Sequence, residues 1–134
     1  MSVRMELSRI LICEMHDLQI IELTEQGGER TFPILIGLAE AEAIRRRFQG
    51  MEIKRPLTHE LLANVIEAFG GVLERVEVCD LREHTFFAEL HIASATGEEL
   101  VIDSRPSDAI ALCVERDVPI FVADHVLEQA QSEQ

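Results

Sequence analysis

The chain has 134 residues, a length that fits one domain with a single core. Its formal net charge is -13, and the resulting field repels phosphate backbones and most membrane surfaces. A contact with RNA or DNA therefore has to use a local basic patch or a bridging cation. The sequence has neither an apolar run of membrane-spanning length nor the apolar block of a signal peptide near its first residue, so we expect a cytoplasmic protein with no membrane partner.

Common functional motifs are missing from the sequence. It contains no P-loop, GxGxxG, GxSxG or HExxH pattern and no paired-cysteine zinc motif. Its three cysteines, Cys13, Cys79 and Cys113, lie among apolar residues in predicted strands or helices, which favours buried reduced thiols over metal ligands. With six Phe and no Trp or Tyr, the chain also lacks the aromatic platforms of single-strand binders.

The hydrophobic pattern predicts strands and helices in a regular order. Strand patterns cover residues 7–14, 18–24 and 30–36, and helical spacing follows from Leu38 to Gly50. A second helix is predicted from Thr58, its expected N-cap, to Gly70. Strands resume at 72–81, 85–93 and 99–102, followed by an apolar helix, a short strand at 120–122 and a last helix capped by Asp124. The order of the first half is therefore nearly repeated in the second.

A constant offset of 66 residues aligns the two halves without a gap. Chance similarity between two sets of strands and helices explains the Ile and Leu matches. It does not explain why the offset stays constant from the first strand to the last helix, so duplication is the preferred interpretation. We expect one domain over 1–134, with pseudo-repeats at about 4–66 and 70–132. The predicted fold class is α+β, with a mixed or mainly antiparallel sheet, or a partly closed barrel, and helices outside. The identical pairs are Leu7 and Leu73, Arg9 and Arg75, Cys13 and Cys79, Ile36 and Ile102, Ala43 and Ala109, Ile44 and Ile110, His59 and His125, and Leu61 and Leu127.

The sequence at residues 103–108, DSRPSD, forms a polar corner before the apolar helix. The matching residues in the first half read GLAEAE over 37–42 and lack counterparts of Asp103, Ser104 and Arg105. One interpretation is helix capping: Pro106 fits the first turn, Ser107 or Asp108 accepts backbone N–H bonds, and Asp103 pairs with Arg105.

The other interpretation of the polar corner is a functional site. The two carboxylates Asp103 and Asp108 could hold Mg²⁺ or Mn²⁺ and activate water, while Arg105 stabilises developing charge on a phosphate. Such a cation would also screen the acidic surface where a nucleic acid docks. Because Asp108 is matched by Glu42 in the first half, it is the more structural of the two carboxylates.

Two further segments are candidates for substrate contact. His59 stands at a helix start as a general base or ligand, although its repeat mate His125 favours a structural role. The run Arg45-Arg46-Arg47 alternates with Glu40 and Glu42 and is either a solvated salt-bridged face or a docking patch for a phosphate backbone.

Three segments make the chain resemble the bifunctional nuclease (BFN) domain family. They are PILIGLAEAEAI over 33–44, RPLTHELL over 55–62, and IDSRPSDAIAL over 102–112 followed by PIFV. The resemblance implies a compact α+β domain, usually a homo-oligomer, and nuclease activity toward RNA and DNA, which is attributed to some plant members. The positions that match the family's motifs are Glu40, Arg55, Thr58, His59, Asp103, Arg105, Ser107 and Asp108.

These observations lead to two hypotheses of different classes. The first is a metal-assisted nuclease with Asp103 and Asp108 as cation ligands, Glu40 or His59 as the base that orients water, and Arg105 as a catalytic phosphate clamp. Its predicted substrate-binding residues are Arg55, Ser107 and Arg46. The second hypothesis is a non-catalytic oligomeric module, with a regulatory or protein-interaction role, whose polar corner is structural.

Overall fold

The computed structural model describes residues 1–133, except the side chain of Glu115. In this part of the chain, seven strands form one mixed sheet that is accompanied by four helices, which confirms the predicted α+β class. None of these helices is long and apolar enough to cross a membrane. The strands are β1 (Ser2–Leu11), β2 (Leu18–Glu25), β3 (Thr31–Gly37), β4 (Val72–Arg82), β5 (Thr85–Ala93), β6 (Glu99–Ser104) and β7 (Ile120–Ala123). The helices are α1 (Leu38–Phe48), α2 (Thr58–Ala68), α3 (Pro106–Arg116) and α4 (Asp124–Ser132).

The sheet is open and strongly curved. Its strand order is β3-β2-β1-β7-β4-β5-β6, and neighbouring strands are antiparallel except for the parallel pair β4 and β7. The two ends of the sheet bend toward each other. Four strands separate β3 from β5, yet the ring centroids of Phe32 in β3 and Phe86 in β5 are 5.4 Å apart. The sheet does not close into a barrel, and β3 and β6 remain its edges.

The first strand begins and ends earlier than the sequence pattern predicts. We expected residues 7–14, whereas β1 covers Ser2–Leu11. The N-terminal part of β1, from Ser2 to Met5, pairs with β7. The part from Met5 to Leu11 pairs with β2, with a register shift between Leu7 and Arg9. The contact with β7 comes from residues more than a hundred positions away, so local hydrophobicity gives no sign of it.

Helix α3 lies at the centre of the helical layer. It packs against α1, α2, β4 and β5, and Ile110 and Leu112 are fully buried. The backbone enters the helix at Arg105, the N-cap, and Pro106 occupies the first helical position, where its missing N–H costs nothing. The polar corner is thus held at the start of a buried helix.

The element order is the same in both halves, except that β7 stands where the first half has a loop. The duplication of residues 4–66 and 70–132 stays a prediction. The predicted caps Thr58 and Asp124 are wrong by one position, since the N-caps are Leu57 and Ala123. At α2 the reason is Glu60, whose carboxylate accepts the N–H of Leu57 at 3.1 Å from within the first turn.

The prediction of three buried thiols is wrong for one cysteine. Cys13 is exposed because β1 ends before it, and Gln19 hydrogen-bonds its backbone. Cys79 is half-buried, and burial raises the pKa of its thiol to about 11. Cys113 is buried within α3, and burial raises its pKa as well. The thiols of Cys79 and Cys113 are therefore protonated at neutral pH.

The position of α3 predicts the effect of shortening a core side chain. Ile110→Ala should lower the free energy of unfolding by about 2–5 kcal/mol, because it leaves a cavity between helix and sheet. Leu35→Ala is the matched control, since Leu35 is 61% exposed on β3 and should change stability by less than about 0.5 kcal/mol. Urea unfolding followed by circular dichroism measures both. Equal losses in the two variants would contradict the assigned core.

Candidate functional site

Four side chains from three helices meet at the start of α3. Arg105 Nε donates to Asp108 Oδ2 at 2.9 Å, and Arg105 Nη2 donates to Asp108 Oδ1 at 3.2 Å. Nη2 also donates to Glu40 Oε1 of α1 at 2.8 Å. His59 of α2 completes the group, with its Nε2 2.9 Å from Asp108 Oδ1. We call Glu40, His59, Arg105 and Asp108 the four-residue network.

The contact between His59 and Asp108 sets the tautomer of the imidazole. A carboxylate accepts hydrogen bonds only, so the proton of a neutral His59 has to reside on Nε2. The lone pair is then on Nδ1, the nitrogen that can accept a proton from another molecule. His59 retains only 14% of its side-chain exposure, so it sits in a wall of the site rather than on open surface.

The ionisation states of the network are fixed by its contacts. Burial raises the pKa of Asp108, but the hydrogen bonds and charges of Arg105 and His59 outweigh burial and hold this pKa below its ordinary value. The pKa of Arg105 is raised by hydrogen bonds to Asp108 and Glu40. At neutral pH, Arg105 is a cation and Asp108 an anion.

Gly37 leaves room for the Glu40 carboxylate that pairs with Arg105. Gly37 is the N-cap of α1, and a Cβ built on it would lie 2.5 Å from Glu40 Oε2. A larger residue would push the carboxylate from its place. The sequence pattern gave no sign of this requirement, because the φ of Gly37 is -76°, a value open to any residue.

A groove of about 680 Å³ reaches the network at Arg105. Its apolar part is formed by β2, β3 and the β4–β5 hairpin, and Arg105, Pro106 and Ser107 lie along it. Ser107, predicted to bind substrate, is itself buried.

The contacts of the network modify the capping interpretation of the polar corner. Asp108 accepts hydrogen bonds from the side chains of Arg105 and His59, and Arg105 pairs with Glu40 and Asp108 instead of Asp103.

The remaining predicted residues lie outside the four-residue network. Asp103 is exposed on β6, opposite Glu89 in the register with β5. Ser104 donates a hydrogen bond to the carbonyl oxygen of Arg105 at 2.8 Å. Arg46 lies in the last turn of α1 beside a small cavity of about 270 Å³, and Arg55 is exposed in the loop before α2.

The predicted Mg²⁺ or Mn²⁺ site can be compared with this geometry. Both oxygens of Asp108 already accept hydrogen bonds from Arg105 or His59, which leaves little room for a cation. Within residues 1–133, no group of three or more His, Cys, Asp and Glu is arranged to hold a metal ion. Metal binding by Asp103 and Asp108 therefore stays a prediction.

The chain matches a known family and several curated relatives. The family model described as the Bifunctional nuclease domain matches residues 21–134. An uncharacterized protein of Mycobacterium tuberculosis is 41% identical over 111 residues, which cover 83% of this chain and 65% of that protein. Bifunctional nuclease 2 of Oryza sativa subsp. japonica is 27% identical and Bifunctional nuclease 2 of Arabidopsis thaliana 26%, each over 77% of this chain and 32% of its own length. The chain thus spans less than two thirds of these relatives.

The network predicts a pH-dependent contribution to stability. Because the pKa of Asp108 is lower in the folded state than its ordinary value of 3.8, its stabilising effect is full above that value and is lost as the pH falls through the folded pKa. Asp108→Asn should therefore cost about 1–2 kcal/mol at pH 7, and this cost should shrink as the pH falls below 3.8 through the folded pKa of Asp108. Urea unfolding from neutral to acid pH measures the difference.

The control for this experiment is Asp103→Asn. It removes the same formal charge from an exposed strand position outside the network. It should leave the free energy of unfolding within about 0.5 kcal/mol of the parent at neutral pH. A cost for Asp108→Asn that stays constant down to acid pH would show that the lost contact is not ionic.

Proposed function

Because the chain belongs to the bifunctional nuclease domain family, we propose that it is a nuclease that hydrolyses phosphodiester bonds of RNA, DNA or both. The observation that carries the proposal is the contact of His59 with Asp108, next to the guanidinium of Arg105. An oriented imidazole can act as a general base, and a fixed cation can stabilise the charge that develops on a phosphoryl group during hydrolysis.

His59 is the general base in this proposal. Asp108 accepts the Nε2 proton in a hydrogen bond, so Nδ1 is the atom that takes a proton from the attacking water. As the water oxygen bonds to phosphorus, the P–O bond to the leaving sugar oxygen breaks, and that oxygen takes a proton from solvent. Asp108 also stabilises the imidazolium that forms and thereby acts as a positioning residue. This assignment prefers His59 over Glu40 as base, because Glu40 Oε1 is already bonded to Arg105.

Arg105 is the group that meets the phosphate. Its described hydrogen bonds use Nε and Nη2, so the two N–H groups of Nη1 remain for a phosphoryl oxygen. The side chain is 65% exposed and borders the groove, which gives a substrate access to it. Ser107 borders the same groove, while Arg46 and Arg55 would contact a more distant part of the phosphate backbone.

Cleavage assays with a matched histidine control test the proposal. Protein free of contaminating nuclease should cleave RNA or single-stranded DNA, and His59→Gln should slow cleavage by about 10²–10⁴-fold. His125→Gln changes the repeat mate, which is exposed on α4, and should leave the rate within about twofold. Cleavage by His59→Gln at the parental rate would rule out the assigned base.

The predicted cation dependence is a separate question. If Mg²⁺ or Mn²⁺ assists the reaction through Asp103, then EDTA and Asp103→Ala should each abolish cleavage. Cleavage that survives both treatments would remove Asp103 and the cation from the mechanism, while the role of His59 would still stand. The His59 and Asp103 variants therefore separate the two parts of the nuclease hypothesis.

A structural role for the network is the second candidate function. It is favoured by the observation that Glu40, Arg105, Asp108 and His59 satisfy one another and connect α1, α2 and α3. In a non-catalytic module, Arg105→Ala should lower the melting temperature or weaken assembly, with no cleavage to lose. Preserved melting and assembly in this variant would contradict the structural role.

A further inference from the structure

Helix α2 presents a row of exposed apolar side chains. Leu57, Leu61, Val65 and Phe69 follow one another at intervals of four residues and are 41%, 54%, 43% and 84% exposed. Only Ala63 is buried among the described residues of this helix. A helix that is apolar on its inner and its outer face is normally covered on both. We call these four residues the α2 ridge.

The apolar side chains of helix α4, unlike those of the α2 ridge, are covered by the sheet. Helix α4 stands at the equivalent place in the second half, and its Val126, Leu127 and Ala130 are buried against β3, β4 and β7. Leu127 is fully buried, whereas Leu61, its counterpart at the offset of 66 residues, faces outward. Within residues 1–133 nothing covers the α2 ridge, although the sequence makes it as apolar as α4.

The chemistry of the ridge favours a second copy of this chain as the occupant. The four ridge side chains carry no charge, so the centre of a contact between two copies would contain no carboxylate. The acidic side chains of α2, Glu60 and Glu67, lie outside the ridge. A foreign partner selected by charge would be basic and would bind the acidic surface instead. Rows at intervals of four residues also pack into the grooves of an identical row at an angle of about -50°.

The size of the surface agrees with a subunit contact. With its neighbours Leu62 and Val72, the ridge exposes on the order of 500 Å² of apolar area, if a large side chain offers about 150–250 Å² when fully exposed. A standard interface takes about 800 Å² from each partner, of which somewhat more than half is apolar. The ridge therefore supplies the apolar centre that such an interface requires.

We propose that the α2 ridge is the contact between two copies of this chain, which pack α2 against α2 about a twofold axis. The contact is isologous, so each copy contributes the same Leu61 and Val65 near the axis. This places the interface on the helix that carries His59, but on its outer face.

The experiment measures the mass of the full chain in solution. Light scattering after gel filtration at about 100 µM should find a dimer or a larger assembly of dimers. Leu61→Lys should halve or abolish the assembly, because two cations would face each other across the axis. Phe69→Ser is a second variant that should weaken association, and its exposed position at the end of α2 does not endanger folding.

Leu35→Lys is the matched control, since Leu35 is equally apolar and exposed but lies on β3. It should assemble like the parent, and circular dichroism should show unchanged helix content in all variants. A parent chain that is monomeric, or an assembly that Leu61→Lys and Phe69→Ser leave intact, would overturn the proposal.

Discussion

The ion pair between Arg105 and Asp108 is the interaction on which the arrangement of the four-residue network depends. It forms in the first turn of α3, the most buried helix, and it is the point to which Glu40 of α1 and His59 of α2 attach. Without Asp108, Arg105 would retain a single carboxylate and His59 would lose its described partner. His59, which keeps 14% of its side-chain exposure, would then be a shielded polar group without that hydrogen bond, whereas Arg105 is 65% exposed and can turn to water.

The two halves of the chain meet in this network. Glu40 belongs to the first corner, residues 37–42, and Arg105 to the second, residues 103–108. The halves share an element order but supply opposite charges: the first corner has a glycine that makes room for a carboxylate, and the second has the guanidinium. In the sequence, the difference between the two corners suggested a functional site. In the structure, the same difference provides the opposite charges of Glu40 and Arg105, which join α1 to the start of α3.

Hydrophobic periodicity predicted most of the fold, since buried faces repeat every two residues in a strand and at helical spacing in a helix. It could not predict that β1 starts at Ser2, because that start depends on β7. The sequence also singled out every member of the network, including Glu40 and His59, from motif positions. The sequence did not give their pairing, because His59 and Asp108 are 49 residues apart and Glu40 and Arg105 are 65 apart. The capping interpretation paired Arg105 with Asp103, whereas packing of α3 brings Arg105 and His59 to Asp108.

Charge decides how a phosphate could reach this site. With His59 neutral, the network carries two carboxylates and one guanidinium, so its local charge is negative, like that of the whole chain. Approach has to be steered by the basic residues of segment 45–55, which contains five of the twelve Lys and Arg residues, namely Arg45, Arg46, Arg47, Lys54 and Arg55. This segment joins α1 to α2 and thus lies between the helices that carry Glu40 and His59. Because such steering is screened by salt while the contacts inside the network are partly shielded from solvent, ionic strength should act on substrate association far more than on the geometry of the site.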